Sequence, residues 1–334
     1  MKFARLAFLL SGLVLLVILL AQADLAEIWF EANRIGMQGV AFVLVLFAIS
    51  FWTDATSWHV ILDAVPIDWR WARRLYAIRM VGEAYNNITP LGSVGGEPVK
   101  AWLLKVNYGL RFSEVSATLV LAKQTLLMSL AIFVTIGFFA LVGNGKFGPE
   151  YRLAAGFGAG MMVLFATIFF LMQWLRLSTR AARLLGDTRI GQRLTGLIAF
   201  AENMDALFAR FYTKHRLRIA ISIGFALASW LLGVVEIYFV MGLLGYPISW
   251  SEAWIVEALV QTVRTGTFFI PAGLGTQEGM LLLVCQTLTG DATVGLAFAL
   301  VRRSRELVWI IGGLLLASRY HVSLSEVRHA EVSD

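Results

Sequence analysis

Pro66-Ile67-Asp68-Trp69 recurs as Pro247-Ile248-Ser249-Trp250. Pro90-Leu91-Gly92-Ser93-Val94-Gly95-Gly96-Glu97 recurs as Pro271-Ala272-Gly273-Leu274-Gly275-Thr276-Gln277-Glu278. The copies align without a gap at an offset of 181 residues (247 − 66). Weaker matches carry the register to Gly109/Gly290, Leu119/Leu300, Val120/Val301 and Leu126/Leu307, so the strongest correspondence pairs 66–126 with 247–307. In a membrane protein, a unit duplicated around a Pro/Gly break points to a translocation site between the copies.

Composition sets the solvent. Apolar residues make up 58% of the 334 and charged residues 15%. A soluble domain carries more charge than that, so the chain reads as an integral membrane protein. The net charge of +6 does not signal nucleic acid, because the basic residues fall in loops between apolar runs. Cys285 is the only cysteine and the four histidines are scattered, which excludes a disulfide framework and a zinc motif; no metal or cofactor is expected.

A hydrocarbon core of ~30 Å needs roughly 20 apolar helical residues. Six runs qualify: 4–23, 37–60, 113–143, 152–175, 217–243 and 292–318. The first also has the outline of a cleavable signal peptide. It is read as a retained span, because the repeat needs a partner for the fourth run. Arg70, Arg73, Arg74, Lys100, Lys105 and Arg111 lie between the second and third spans, and nine Lys/Arg from Arg176 to Arg218 lie between the fourth and fifth. Arg34, Lys146 and Arg152 face the other way. The positive-inside rule puts both termini in the cytoplasm. The loop 176–216 is expected to hold amphipathic helices, with Leu184, Leu194, Ile198 and Phe208 toward lipid.

Three spans per half make the second copy enter from the opposite side. Segments 72–107 and 252–286 are too polar to read as clean spans, and each is read as a re-entrant pair of half-helices turning at Pro90 or Pro271. The expected fold is an all-α integral membrane protein. It forms one domain over 1–334, an inverted-topology repeat (about 1–143 and 152–318) of three spans plus a re-entrant helical hairpin in each half.

The breaks carry the chemistry. Gly92, Gly95 and Gly96 allow positive φ and close approach. The half-helix starting near Gly96 offers free N–H groups, with Lys100 adding charge and Asn86 and Asn87 beside it, so the first turn reads as a seat for an anionic head group. The plainer reading is tight glycine packing, with Glu97 serving the helix N-terminus. In the second turn, Gly273, Gly275, Thr276, Gln277 and Glu278 repeat the pattern, with Thr276 as a helix cap and Arg264 upstream. Glu97 and Glu278 read as capping or ion-paired groups, or as proton-carrying or gating groups. Arg302, Arg303, Arg305 and Glu306 interrupt the last span and need partners or water. Arg302 and Glu306 are spaced to pair along the helix, but four charges in five residues cannot all point one way, so some are expected to face the cavity and bind phosphate oxygens in a bidentate manner; the alternative is a structural ion-pair network with Glu257 or Glu278, and Lys123 is the approximate first-copy counterpart. Asp54 and His59 are read as satisfied polar contacts. Gly156-x-x-x-Gly160 is read as a close helix contact, and is weak as a homodimer signal.

Pro90-Leu-Gly-Ser-Val-Gly-Gly-Glu97 together with Ile270-Pro-Ala-Gly-Leu-Gly-Thr-Gln-Glu-Gly279 resembles the flippase-like family typified by the lysylphosphatidylglycerol synthetase transmembrane region, over residues 35–320. The stretch Glu257–Glu306, with Thr-Gln-Glu-Gly and Arg-Arg-Ser-Arg-Glu, looks like the branch associated with hopanoid biosynthesis, although Thr89-Pro-Leu-Gly-Ser93 departs from the more apolar motif expected there. The resemblance implies movement of an anionic or modified lipid between leaflets of a bacterial inner membrane. The soluble aminoacyl-transferase domain of the synthetases is not seen, so it implies no lipid aminoacylation. The alternatives are an integral membrane enzyme, for which no Asp-x-Asp motif, His cluster or large polar loop is present, and an assembly partner of a lipid- or glycan-synthesis enzyme.

Overall fold

A computed structural model describes residues 25–88, 95–174 and 215–320, with positions 14, 17 and 211 besides. The run 4–23 apart from positions 14 and 17, the turn residues Pro90 and Gly92, and the candidate lipid-facing residues Leu184, Leu194, Ile198 and Phe208 lie outside these described residues.

The described residues form α helices and one 3-10 turn, with no strand among them. They are α1 (Leu25–Asn33), α2 (Gly36–Ile61), α3 (Trp69–Ile88), α4 (Gly96–Tyr108), α5 (Phe112–Gly143), α6 (Pro149–Trp174), α7 (Arg216–Leu243), α8 (Trp250–Gly266), the 3-10 turn Pro271–Gly273, α9 (Thr276–Thr289) and α10 (Ala292–Arg319). Four of them, α2, α5, α6 and α7, are long and apolar enough to cross a membrane. α10 has the length, at 28 residues, but carries three arginines and a glutamate in its middle. Leu153 and Phe157 on α6 are 76% and 72% exposed. A continuous apolar exterior of this kind belongs against lipid.

The 181-residue offset governs the helices as well as the motifs. Shifting α2 from 36–61 gives 217–242, against α7 at Arg216–Leu243. Shifting α3, α4 and α5 lands on the starts of α8, α9 and α10 to within a residue. α4 ends at Gly109 (φ 69°) and α9 at Gly290 (φ 79°), so the repeated glycine is a left-handed helix stop in both copies.

The matched helices α2 and α7 pack against each other. Ser50 Oγ meets Ser229 Oγ at 2.9 Å, and Ser57 Oγ meets Ser222 Oγ at 2.8 Å. The number rises along one helix as it falls along the other, so the pair is antiparallel. The loops that follow them, 62–68 and 244–249, leave from opposite ends. Small hydroxyl residues let the backbones approach and bond across the contact.

α3 and α4 form an antiparallel hairpin held by its glycines. A Cβ on Gly96 would fall 1.8 Å from the Gly82 carbonyl oxygen, and one on Gly82 would fall 2.6 Å from the Lys100 stem. In α8–α9 the chain turns instead through left-handed backbone, at Ala272 (φ 54°), Gly273 (φ 59°) and Gly275 (φ 77°). The 3-10 turn packs against α3, bringing the second break to the first hairpin. α8 begins with a capping box, Ser249 and Glu252 each bonding the other's backbone N–H.

Candidate functional site

Two clusters of ionised side chains sit inside this apolar bundle. Charge in such a place persists only with partners or water.

The first cluster lies among α2, α3, α4 and α5. Glu97, on the first turn of α4, takes Lys100 Nζ at 2.7 Å through one oxygen and Lys123 Nζ of α5 at 3.1 Å through the other. Arg79 of α3 pairs with Asp54 of α2. Glu83 accepts from the amides of Asn86 (3.3 Å) and Asn87 (3.4 Å), and the Asn86 carbonyl oxygen accepts from Gly96 N–H at 2.7 Å. The α4 N-terminus, expected to stand open to an anion, thus already holds a side-chain oxygen. A small void of ≈ 10 Å³ lies among Asp54, Trp58, Arg79, Glu97, Lys100 and Lys123.

The second cluster joins α7, α8, α9 and α10. Arg302, 2% exposed, bridges Glu257 and Glu236, the latter at 3.4 Å, and Arg305 also holds Glu236. Gln261 donates to Glu257 at 2.7 Å. Gly233 makes room for this carboxylate, since a Cβ there would sit 2.8 Å from its oxygen. Arg303 grips Glu278 and Glu306 (2.7 Å) and donates to the carbonyls of Ala272 (2.8 Å) and Gly273 (3.2 Å). A guanidinium fits this fork of four acceptors, where an ammonium would not. The hairpin tip is therefore fastened to α10 through its backbone.

A cavity of ≈ 50 Å³ lies between the copies, lined by Phe47 of α2, Glu83, Ala84 and Asn87 of α3, Arg264 of α8, and Arg305, Glu306, Trp309 and Ile310 of α10. Arg264 is 37% exposed, and its ion contact among the described residues is a long 3.8 Å one with Glu306. The Trp309 indole N–H is buried with no hydrogen-bond partner among the described residues. Glu83 and Arg264 occupy matched positions, 181 apart (264 − 83), with opposite charge.

The match to known proteins agrees with a multi-pass membrane protein. Residues 3–313 match the family described as "Lysylphosphatidylglycerol synthase TM region". The chain belongs to this family. Similar relatives include a UPF0104 membrane protein of Methanothermobacter thermautotrophicus, 23% identical over 84% of this chain and 83% of its own length. Another is a UPF0104 membrane protein of Pyrococcus horikoshii, 22% identical over 81% and 83%. No solved structure matches the chain.

Within this family member, several expected residues do come together. Asn86, Asn87, Gly96, Glu97, Lys100 and Lys123 build the first cluster, and Arg264, Gly273, Glu278, Arg302, Arg303, Arg305 and Glu306 the second. Four details bear on these expectations. Arg302 does not pair with Glu306 along α10, because it faces Glu236 and Glu257 while Glu306 takes Arg303. Thr276 does not cap α9: Gly275 holds the cap position and Thr276 Oγ1 donates to Gly273 O at 3.0 Å. Gly95 has φ −63°, so it needs no left-handed backbone, and Gly96 serves close approach. Gly156 packs on Phe138 of the same chain. Asp54 and His59 are satisfied separately, by Arg79 and by the Pro66 carbonyl at 3.0 Å. Gln277, at Gly96's matched position, is 0% exposed, and its amide has no partner among the described residues. The Asp54–Arg79 pair and the Glu83/Arg264 position were missed. Adding 181 to Glu83 would have found the latter.

Proposed function

We propose that this chain moves a lipid with an anionic or modified head group between the leaflets of a bacterial inner membrane. The observation that carries the reading is the matched pair Glu97 and Glu278, each held by a cation of the following long helix, in a bundle whose two halves also share a cavity. The antiparallel α2–α7 contact supports an inverted repeat with both termini cytoplasmic. In that arrangement the hairpins α3–α4 and α8–α9 dip in from opposite leaflets. Arg264, Asn87 and the Trp309 N–H offer donors to phosphate oxygens, while the lipid tails stay outside in the bilayer. A cavity of ≈ 50 Å³ is too small for a lipid head, so the structure corresponds to a closed form that must widen to load. The cargo class is a phospholipid, an aminoacyl-phospholipid or, on the likeness of Glu257–Glu306, a hopanoid. The chain performs no chemistry on it.

Reconstitution in vesicles with fluorescent phosphatidylglycerol tests this. The wild type is expected to move the lipid unchanged. Glu97→Gln, Glu278→Gln and Arg303→Ala should each slow it about tenfold or more, equivalent to about 1.4 kcal/mol, at wild-type yield of folded protein. Normal rates in all three would reject the site. Chemical conversion of the lipid would support an enzyme instead, and neither outcome an assembly role.

A further inference from the structure

The two clusters differ in the chemistry of their cations. Among the described residues of the second cluster these are Arg264, Arg302, Arg303 and Arg305, and arginine keeps its proton at any physiological pH. The first cluster pairs Arg79 with two lysines, Lys100 and Lys123, whose ammonium groups can lose theirs.

Lys100 is 1% exposed. Its stem lies in the notch over Gly82, its Nζ stands 5.9 Å from the Trp58 ring centre, and its ion contact is Glu97. Glu97 is also the acceptor for Lys123, so two ammonium groups depend on one carboxylate. The other charged groups facing Lys100 are engaged: Asp54 on α2 with Arg79 on α3, and Glu83 on α3 with the Asn86 and Asn87 amides. The Lys123 side chain is 40% exposed, so one lysine is shut in and the other reaches out. The ≈ 10 Å³ void between them has room for about one water molecule.

We propose that Lys100 is a proton-exchange site that binds one proton as an anionic head group arrives and releases it as the head group leaves. The idea rests on the transport reading above. An anionic group arriving at Lys123 draws that ammonium off Glu97. The carboxylate is left to Lys100 alone, and its amine takes one proton from water, –NH2 + H⁺ giving –NH3⁺. When the anion leaves, Lys123 returns to Glu97, the two ammonium groups repel, and Lys100 gives the proton back to water at the Lys123 end of the void. One proton thus matches the added negative charge for as long as the head group occupies the site. The arginine cluster holds its hairpin without exchanging protons.

The test is proton uptake on lipid binding, read with a pH indicator in weakly buffered detergent solution stepped from about pH 7 to about pH 9. The probe is phosphatidylglycerol, with phosphatidylcholine as the uncharged comparison. The full-length wild type is expected to take up as much as about one proton per chain with phosphatidylglycerol and none with phosphatidylcholine. Lys100→Met and Lys123→Met should abolish the uptake, and Lys105→Met should retain it. No uptake by the wild type, or uptake persisting in folded Lys100→Met, would overturn the proposal. If Lys100→Met fails to fold, persistence in Lys123→Met, changed at a half-exposed position, overturns it equally. Absence of lipid movement in vesicles would instead reject the transport reading, leaving the proton count to decide the role of Lys100.

Discussion

In the first copy Glu97 answers to two lysines, one of them half-exposed. In the second, Glu278 is clamped by Arg303, which also ties down Glu306 and two backbone carbonyls of the turn. The hairpins follow the same division. α3–α4 is pressed together at Gly82 and Gly96, while α8–α9 turns through left-handed backbone and is braced from α10. One backbone plan thus carries a loosely held charge site in one half and a fixed one in the other. The backbone plan is shared, and the difference lies in a few side chains.

The largest expected effect lies in the fixed half. Arg302→Met leaves Glu236 and Glu257 short of a buried partner, and breaking a buried pair costs about 3–5 kcal/mol. A collapse of folded yield and of Tm in detergent is expected. Lys100→Met should be far milder, because Glu97 keeps Lys123. Equal losses would erase the contrast between the clusters.

The glycines sharpen it next. Gly96→Ala drives a methyl into the Gly82 carbonyl and should cost about 1–3 kcal/mol by overpacking. Gly275→Ala meets the left-handed backbone penalty of about 1–2 kcal/mol. Unfolding titrations of both variants check the order.

Glu83 and Arg264 line one cavity from matched positions. Glu83→Arg or Arg264→Glu alone should slow lipid movement about tenfold, the kinetic equivalent of about 1.4 kcal/mol. The double exchange restores the charge balance and should recover part of the rate. No recovery would mean the two positions do not act on a shared space.

The smallest effect sits at the loop end of α8. Burial alone would push the Glu252 carboxyl up, but the Lys146 ammonium at 2.7 Å and the Ser249 N–H and hydroxyl, each at 2.8 Å, hold it below its ordinary value. Its folded value is therefore lower than its unfolded value of about 4.3, so its contribution is complete above that pH and fades as pH falls through the folded value. Lys146 is 56% exposed, so Lys146→Met should lower stability by no more than about 1 kcal/mol near neutral pH, and by less in acid. Thermal melts at two pH values read this directly.

Much of this plan was legible before any coordinates. The 181-residue offset located both hairpins and the starts of the matched helices, because repeated Pro, Gly and Trp residues mark where helices begin and stop. Glu97 and Glu278 stood out as repeated carboxylates inside an apolar chain. What stayed hidden depends on which way a helix faces. Arg302 and Glu306 have the right spacing to pair, yet three-dimensional packing turns Arg302 toward α7 and α8. Asp54 and Arg79 meet across two helices and share no motif. Glu83 and Arg264 escaped because a search for repeated identities passes over a repeated position whose charge has reversed.

The opposed orientation of the two copies underlies the whole account, and matched thiols test it most directly. Pro66 and Pro247 are exposed in the loops after α2 and α7, and Cys285 is buried and replaceable by serine. In a Cys285→Ser background, the thiol of Pro66→Cys should react only with a reagent that reaches the cytoplasmic face, and that of Pro247→Cys only with one added outside. Labelling of both from the same side would contradict the inverted arrangement and, with it, the shared site between the hairpins.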